Sequence, residues 1–186
     1  MHQHTDNVQS EKIEHKQGLV IVITGNGKGK TTSALGQALR ALGHDQKVLF
    51  LQFLKQGNFG EIEAINRFPN IEVRQFGRSD FVDPQHPQPI DYEFAGQGLR
   101  AAIDALADAG YDLVVLDEIN VAVHFGLLIV DEVVDLIKRK RPEIDLVLTG
   151  RHAVPQVIEL ADTVSEIVDV KHHITHGIKA RAGIEF

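Results

Sequence analysis

Apolar residues in this chain fall into short unbroken runs, and between the runs they recur at helical spacing. GLVIVIT from Gly18 to Thr24, KVLFLQF from Lys47 and YDLVVLDE from Tyr111 are continuous and rich in β-branched residues. Such runs predict strands buried on both faces of a parallel sheet. IEVRQF from Ile71, IDLVLTG from Ile144 and VSEIVDV from Val164 predict further strands. A helix is predicted from Lys30 to Leu42, with Leu35, Ala38, Leu39 and Leu42 on one face and Gly43 as its stop. Another is predicted from Asp91 to Ala109, with Phe94, Leu99, Ile103, Leu106 and Ala107 turned inward. Val130 to Lys140 and Val154 to Ala161 complete the helices. Strands alternating with helices predict an α/β fold in three layers, a mostly parallel sheet covered on both sides. Arg78 to Pro89 reads as a long loop at a sheet edge, a place where function often sits. Residues 1–17 are polar and read as a flexible N-terminal arm, which leaves 18–186 as a single domain.

Composition narrows the function classes. The net charge of -7 over 186 residues disfavours electrostatic grip on a nucleic-acid backbone. The one basic run, Lys138 to Arg141, ends a helical pattern, where cations meet the negative end of the helix dipole. Cysteine is absent, which excludes disulfides, thiolate catalysis and cysteine-based zinc sites. No apolar run approaches the ~20 residues of a membrane span and no signal peptide is recognised, so the expected location is the cytoplasm.

TGNGKGKTT, from Thr24 to Thr32, lies between the first predicted strand and the first predicted helix. Gly29, Lys30 and Thr31 match the end of the phosphate-loop pattern G-x-x-x-x-G-K-[ST], but Thr24 stands where its first glycine belongs. The loop is therefore short by one residue. Glycines let backbone N–H groups approach phosphate oxygens, and the following helix points its positive end at the anion. Gly25, Asn26, Gly27, Lys28, Gly29 and Thr32 form the expected cradle, with Lys30 as a point charge and Thr31 as a hydroxyl ligand to Mg²⁺. A dinucleotide site is disfavoured, because Lys30 occupies the place of a required glycine.

LVVLDE places Asp117 and Glu118 at a strand tip, where one holds Mg²⁺ directly or through water and the other polarises water or binds a lysine. Arg151, after another strand tip, reads equally as a phosphate contact or a surface arginine. His172, His173 and His176 read more readily as a solvated tail than as metal ligands. These features specify a nucleoside triphosphate and a divalent cation. They leave hydrolysis, phosphoryl transfer and a nucleotide-dependent carrier open.

GNGKGKTT after a buried strand, LDE, TGR, ELADTVSEI and the tail VKHHITHGIKARAGIEF together resemble the P-loop type of ATP:corrinoid adenosyltransferase. The resemblance runs from Gly18 to Phe186, and the short loop from Gly25 to Thr31 is this family's own variant. It implies a RecA-like fold, a homodimer, and ATP, Mg²⁺ (or Mn²⁺) and a Co(I) corrinoid as the reacting set. It implies transfer of the 5′-deoxyadenosyl group to cobalt with release of triphosphate, and a reduced flavodoxin or flavin as electron donor. Lys30, Thr31 and Glu118 take the catalytic roles; Thr31, Glu118 and Asp117 hold the metal. Arg40 and Arg151 match positions near ATP. Phe81 matches an aromatic that displaces the lower axial ligand of cobalt. The second aromatic of that pair is Asp83 here, which shifts attention to Phe59 or Phe94.

Overall fold

The structure, a computed structural model, describes residues 17–185; the expected arm, including His15 and Lys16, lies outside them apart from Gln17. Six runs become strands: β1 Val20–Thr24, β2 Val48–Phe53, β3 Ile71–Phe76, β4 Leu113–Asp117, β5 Asp145–Thr149 and β6 Thr163–Glu166. All pair in parallel, in the order β3-β2-β4-β5-β1-β6. The strand bearing the acids, β4, is separated from the loop-bearing β1 by β5, the arrangement of a RecA-like P-loop fold. The sheet is wholly parallel.

Helices cover both faces because alternate strand residues are apolar on both. Leu49, Leu51 and Phe53 of β2 join one core with α3 (Pro89–Ala107) and α5 (Val130–Arg139). Val48 and Phe50 point the other way, into a second core with α1 (Lys30–Leu42). Every residue of β2 is buried, as its unbroken apolar run requires.

Several boundaries differ from the sequence reading. α3 begins at Pro89, two residues early, because proline suits the first helical turn and Asp91 accepts the Gln88 N–H at 2.8 Å. β6 is shorter than expected and exposed, ending at Glu166. Two short helices were missed, α2 (Gly60–Ile65) and α4 (Ile119–His124); α6 (Pro155–Glu159) and a 3-10 turn at His173–His176 complete the set. The inward faces also shift. On α1 the buried apolar residues are Ala34, Ala38, Ala41 and Leu42, while Leu39 is exposed. On α3 they include Ala95, Leu99, Ala102 and Leu106, while Ile103 and Ala107 face solvent. Small residues face the sheet where the helix approaches closely. Gly98 is the tightest point: a Cβ there would lie 2.7 Å from the Phe53 ring.

Of the basic run, Lys140 does more than meet a helix end. Its ammonium donates to the Gly18, Ile144 and Arg141 carbonyls and ties α5 to the starts of β1 and β5.

Candidate active site at the carboxyl ends of the strands

The C-terminal tips of β1, β2, β4 and β5 meet on one edge of the sheet. In open α/β sheets this is where ligands bind. The turn from β1 into α1 runs through Gly25 and Gly29, both left-handed, with φ of 94° and 117°. At Gly25 a side chain would also strike the Ile167 carbonyl, so glycine is required there twice over. Asn26 and Thr32 are exposed at the rim. Lys30 is buried and curls back, donating to the carbonyls of Gly25 and Gly27, both at 2.8 Å. Burial lowers its pKa, with Arg151 and Lys55 adding repulsion against the pull of Glu118 and Asp117.

Asp117 is fully buried at the centre of a polar cluster. It accepts from Thr31 Oγ1 at 3.0 Å, from Thr149 Oγ1 at 2.7 Å and from Gln52 Nε2 at 3.2 Å. The Lys55 ammonium lies 3.7 Å from Asp117 and 3.6 Å from Glu118. Burial opposes the Lys55 charge, but Asp117 and then Glu118 outweigh it and raise its pKa. Burial raises the pKa of Glu118; Lys55 offsets part of this and the neighbouring Asp117 adds to it. Glu118 holds a left-handed backbone with φ 65°, and its N–H donates to Thr149 Oγ1 at 2.9 Å. A non-glycine residue in that conformation is locally strained and is held by its surroundings.

The structure thus brings together Lys30, Thr31, Asp117 and Glu118. Arg151 is exposed just beyond β5, close enough to perturb Lys30. Arg40 does not join them within one chain. It lies in the last turn of α1, about 15 Å along the helix from Lys30 at 1.5 Å per residue. It lines a groove with Leu19, Leu113 and Asp145, at the opposite ends of the strands. Phe81 is completely exposed on the loop before α3. The base of that loop is fixed by Arg78, which donates to the buried Asp91 at 2.8 Å. Asp83, in the place of the second aromatic, accepts from the Gln85 N–H and lies 3.2 Å from His86; it closes a turn. Phe59 and Phe94 are partly buried.

Sequence reasoning missed Lys55, Gln52 and Thr149. Gln52 and Thr149 are polar residues following apolar runs near the C-terminal ends of β2 and β5, which was the available signal. Also unforeseen is the stack of His124 on His152, with ring centroids 4.0 Å apart. Among the described residues no group of three or more histidine or acidic side chains is arranged to hold an ion, and none is found at His172, His173 and His176. His172 and His173 stack on one another instead.

Residues 16–186 match the protein family described as ATP:corrinoid adenosyltransferase BtuR/CobO/CobP. A corrinoid adenosyltransferase of Pseudomonas aeruginosa is 41% identical over 183 residues, covering 96% of this chain and 90% of its own. The corrinoid adenosyltransferase of Escherichia coli K12 is 36% identical over 94% of this chain and 89% of its own. Corrinoid adenosyltransferase CobA of Salmonella typhimurium is 35% identical over the same shares.

Proposed function

The chain belongs to the ATP:corrinoid adenosyltransferase family, an enzyme family that transfers the adenosyl group of ATP to a corrinoid, and from that premise we propose how its residues carry out the transfer. The observation that supports the proposal is the short phosphate loop set beside the Asp117 cluster.

The protein need not supply a nucleophile of its own. Co(I) is itself a strong nucleophile: its electron pair forms the bond to C5′ of ATP while the C5′–O bond breaks and its electrons leave with triphosphate. The protein's share is position and charge neutralisation. The Gly25 to Gly29 backbone, Lys30 and the α1 N-terminus receive the polyphosphate, and Arg151 approaches it from the β5 tip. Lys30 is held by two loop carbonyls that an anion would displace.

Mg²⁺ or Mn²⁺ fits the donor set. The Thr31 hydroxyl and the carboxylates of Asp117 and Glu118 are hard oxygen donors, too few for a closed cage. That suits an ion completed by phosphate oxygens and water. When bound, the ion supplies further neutralisation of the leaving group. Lys55 pairs with the same two carboxylates.

The corrinoid is the second substrate. Phe81, exposed on a loop anchored by Arg78, is the group proposed to press on its lower face and displace the axial ligand of Co(II) before reduction. Reduced flavodoxin or flavin supplies the electron, the location is the cytoplasm, and the enzyme is a homodimer. The dimer is supported by the exposed apolar residues Val168, Val170, Ile174 and Ile178 beyond β6. No described helix is long and apolar enough to cross a membrane.

The test is an anaerobic assay with MgATP and chemically reduced cobalamin. Light-sensitive adenosylcobalamin formed with stoichiometric triphosphate is the expected result, and Lys30→Ala should abolish it. Release of ADP or orthophosphate without a spectral change would reassign the site to hydrolysis or phosphoryl transfer.

A further inference from the structure

The segment after β6 takes no part in the transfer as described, yet it grips the phosphate loop at several points. Ile167 N–H donates to the Thr24 carbonyl at 2.9 Å, and Gly27 N–H donates to the Ile167 carbonyl at 2.7 Å. One loop N–H is therefore committed to the protein. The loop's outer lysine is committed as well. Lys28 Nζ donates to the Ile184 carbonyl at 2.8 Å and lies 3.6 Å from Glu185 Oε1.

Glu185 is itself fixed from three sides. Its Oε2 accepts the Arg181 N–H at 2.9 Å, its Oε1 lies 3.2 Å from His173 Nε2, and its side chain is only 13% exposed. A carboxylate enclosed beside a polyphosphate site would repel the ligand. Here the Lys28 ammonium stands against it, His173 Nε2 lies beside it, and its orientation is set by the tail's own backbone. The same contact explains why Lys28 points away from Lys30, which is turned inward to Gly25 and Gly27.

We propose that Glu185 is a positioning residue for the triphosphate site and that Lys28 is the tether through which it acts, rather than a ligand to phosphate. The proposal rests on the reading of Gly25 to Thr31 as a triphosphate site. The tail holds Lys28, Lys28 holds the outer turn of the loop, and the remaining N–H groups stay arranged for the anion before it arrives. Binding then avoids the cost of ordering a glycine-rich loop. Lys28, expected from the sequence among the ATP contacts, is in this proposal held by the tail.

The experiment measures MgATP and inorganic tripolyphosphate binding to the full chain by calorimetry, without corrinoid, for wild type, Lys28→Met, Glu185→Gln and the double variant. Lys28→Met is expected to weaken both probes about tenfold, Glu185→Gln several-fold, and the double variant no more than Lys28→Met, the non-additivity of residues acting as one unit. Glu185→Asp should restore part of the loss. In turnover with Co(I) substrate, Glu185→Gln should raise KM for MgATP and leave KM for the corrinoid in place, a selectivity that general loosening of the tail would not give. Additive losses, or wild-type affinity in Glu185→Gln, would overturn the tether. A wild-type chain that binds neither probe would overturn the triphosphate site itself, and the tether with it.

Discussion

At the residue scale, the polar cluster at the strand tips has a fully buried carboxylate, Asp117, and one strained member, Glu118. Asp117 accepts from three side-chain donors within the protein. Glu118, whose side chain is 20% exposed, is the residue to vary as a test of the proposed ion. Glu118→Gln is expected to lower kcat/KM more than tenfold, a loss above about 1.4 kcal/mol, and to weaken Mg²⁺ dependence; a Mg²⁺ titration of the initial rate reads this directly. The His124–His152 stack gives a pH prediction. Burial, then His124, Arg151 and Lys30 hold His152 below its ordinary value. The unfolded chain therefore takes up the proton first as pH falls, and stability is lost below about pH 6.5, through the folded value. His152→Asn should flatten that slope, as seen in urea midpoints measured between pH 5 and 7.5.

At the scale of elements, α3 is held against β2 and β3 by the absence of a side chain. Gly98→Ala would place a methyl 2.7 Å from the Phe53 ring and 3.1 Å from Phe76. The substitution favours helix by about 1 kcal/mol but overpacks a buried contact by about 1–3 kcal/mol. A lower melting temperature is expected in calorimetry. The loop before α3 gives a separate test. Phe81→Ala should impair turnover from Co(II) with a mild reductant and spare turnover from pre-reduced Co(I), since Phe81 makes no packing contribution that its loss could disturb. Equal losses in the two assays would remove it from axial-ligand displacement. The strands were legible because burial on both faces leaves unbroken apolar runs such as VLFLQF. The helix faces were legible only in part. Leu39 and Ile103 are large and apolar at the right period, yet the sheet accepts alanines and glycine where it lies closest. Of the site, the loop and the LDE tip were legible because both are contiguous. Lys55, Gln52 and Thr149 were not, because strand order alone brings them beside Asp117.

At the scale of the whole molecule, apolar residues cluster on the surface beyond β6, where Val168, Val170, Ile174, Ile178 and Ile184 are all more than half exposed. Sedimentation equilibrium is expected to give about twice the 20.6 kDa of one chain, and aspartate at Val170, which is 90% exposed, should shift the balance toward monomer. A single 20.6 kDa species at micromolar concentration would remove the dimer.

The sheet order also has a consequence in time. Among the described residues β1 pairs with β5 and β6 alone, which begin at Asp145 and Thr163. During synthesis the phosphate loop emerges early but has no sheet to stand on until the last quarter of the chain leaves the ribosome. Pairing across such separations is slow to find. Capacity to bind nucleotide should therefore arrive as one of the final events of folding, so that an interrupted chain lacking its end is released without a half-made ATP site.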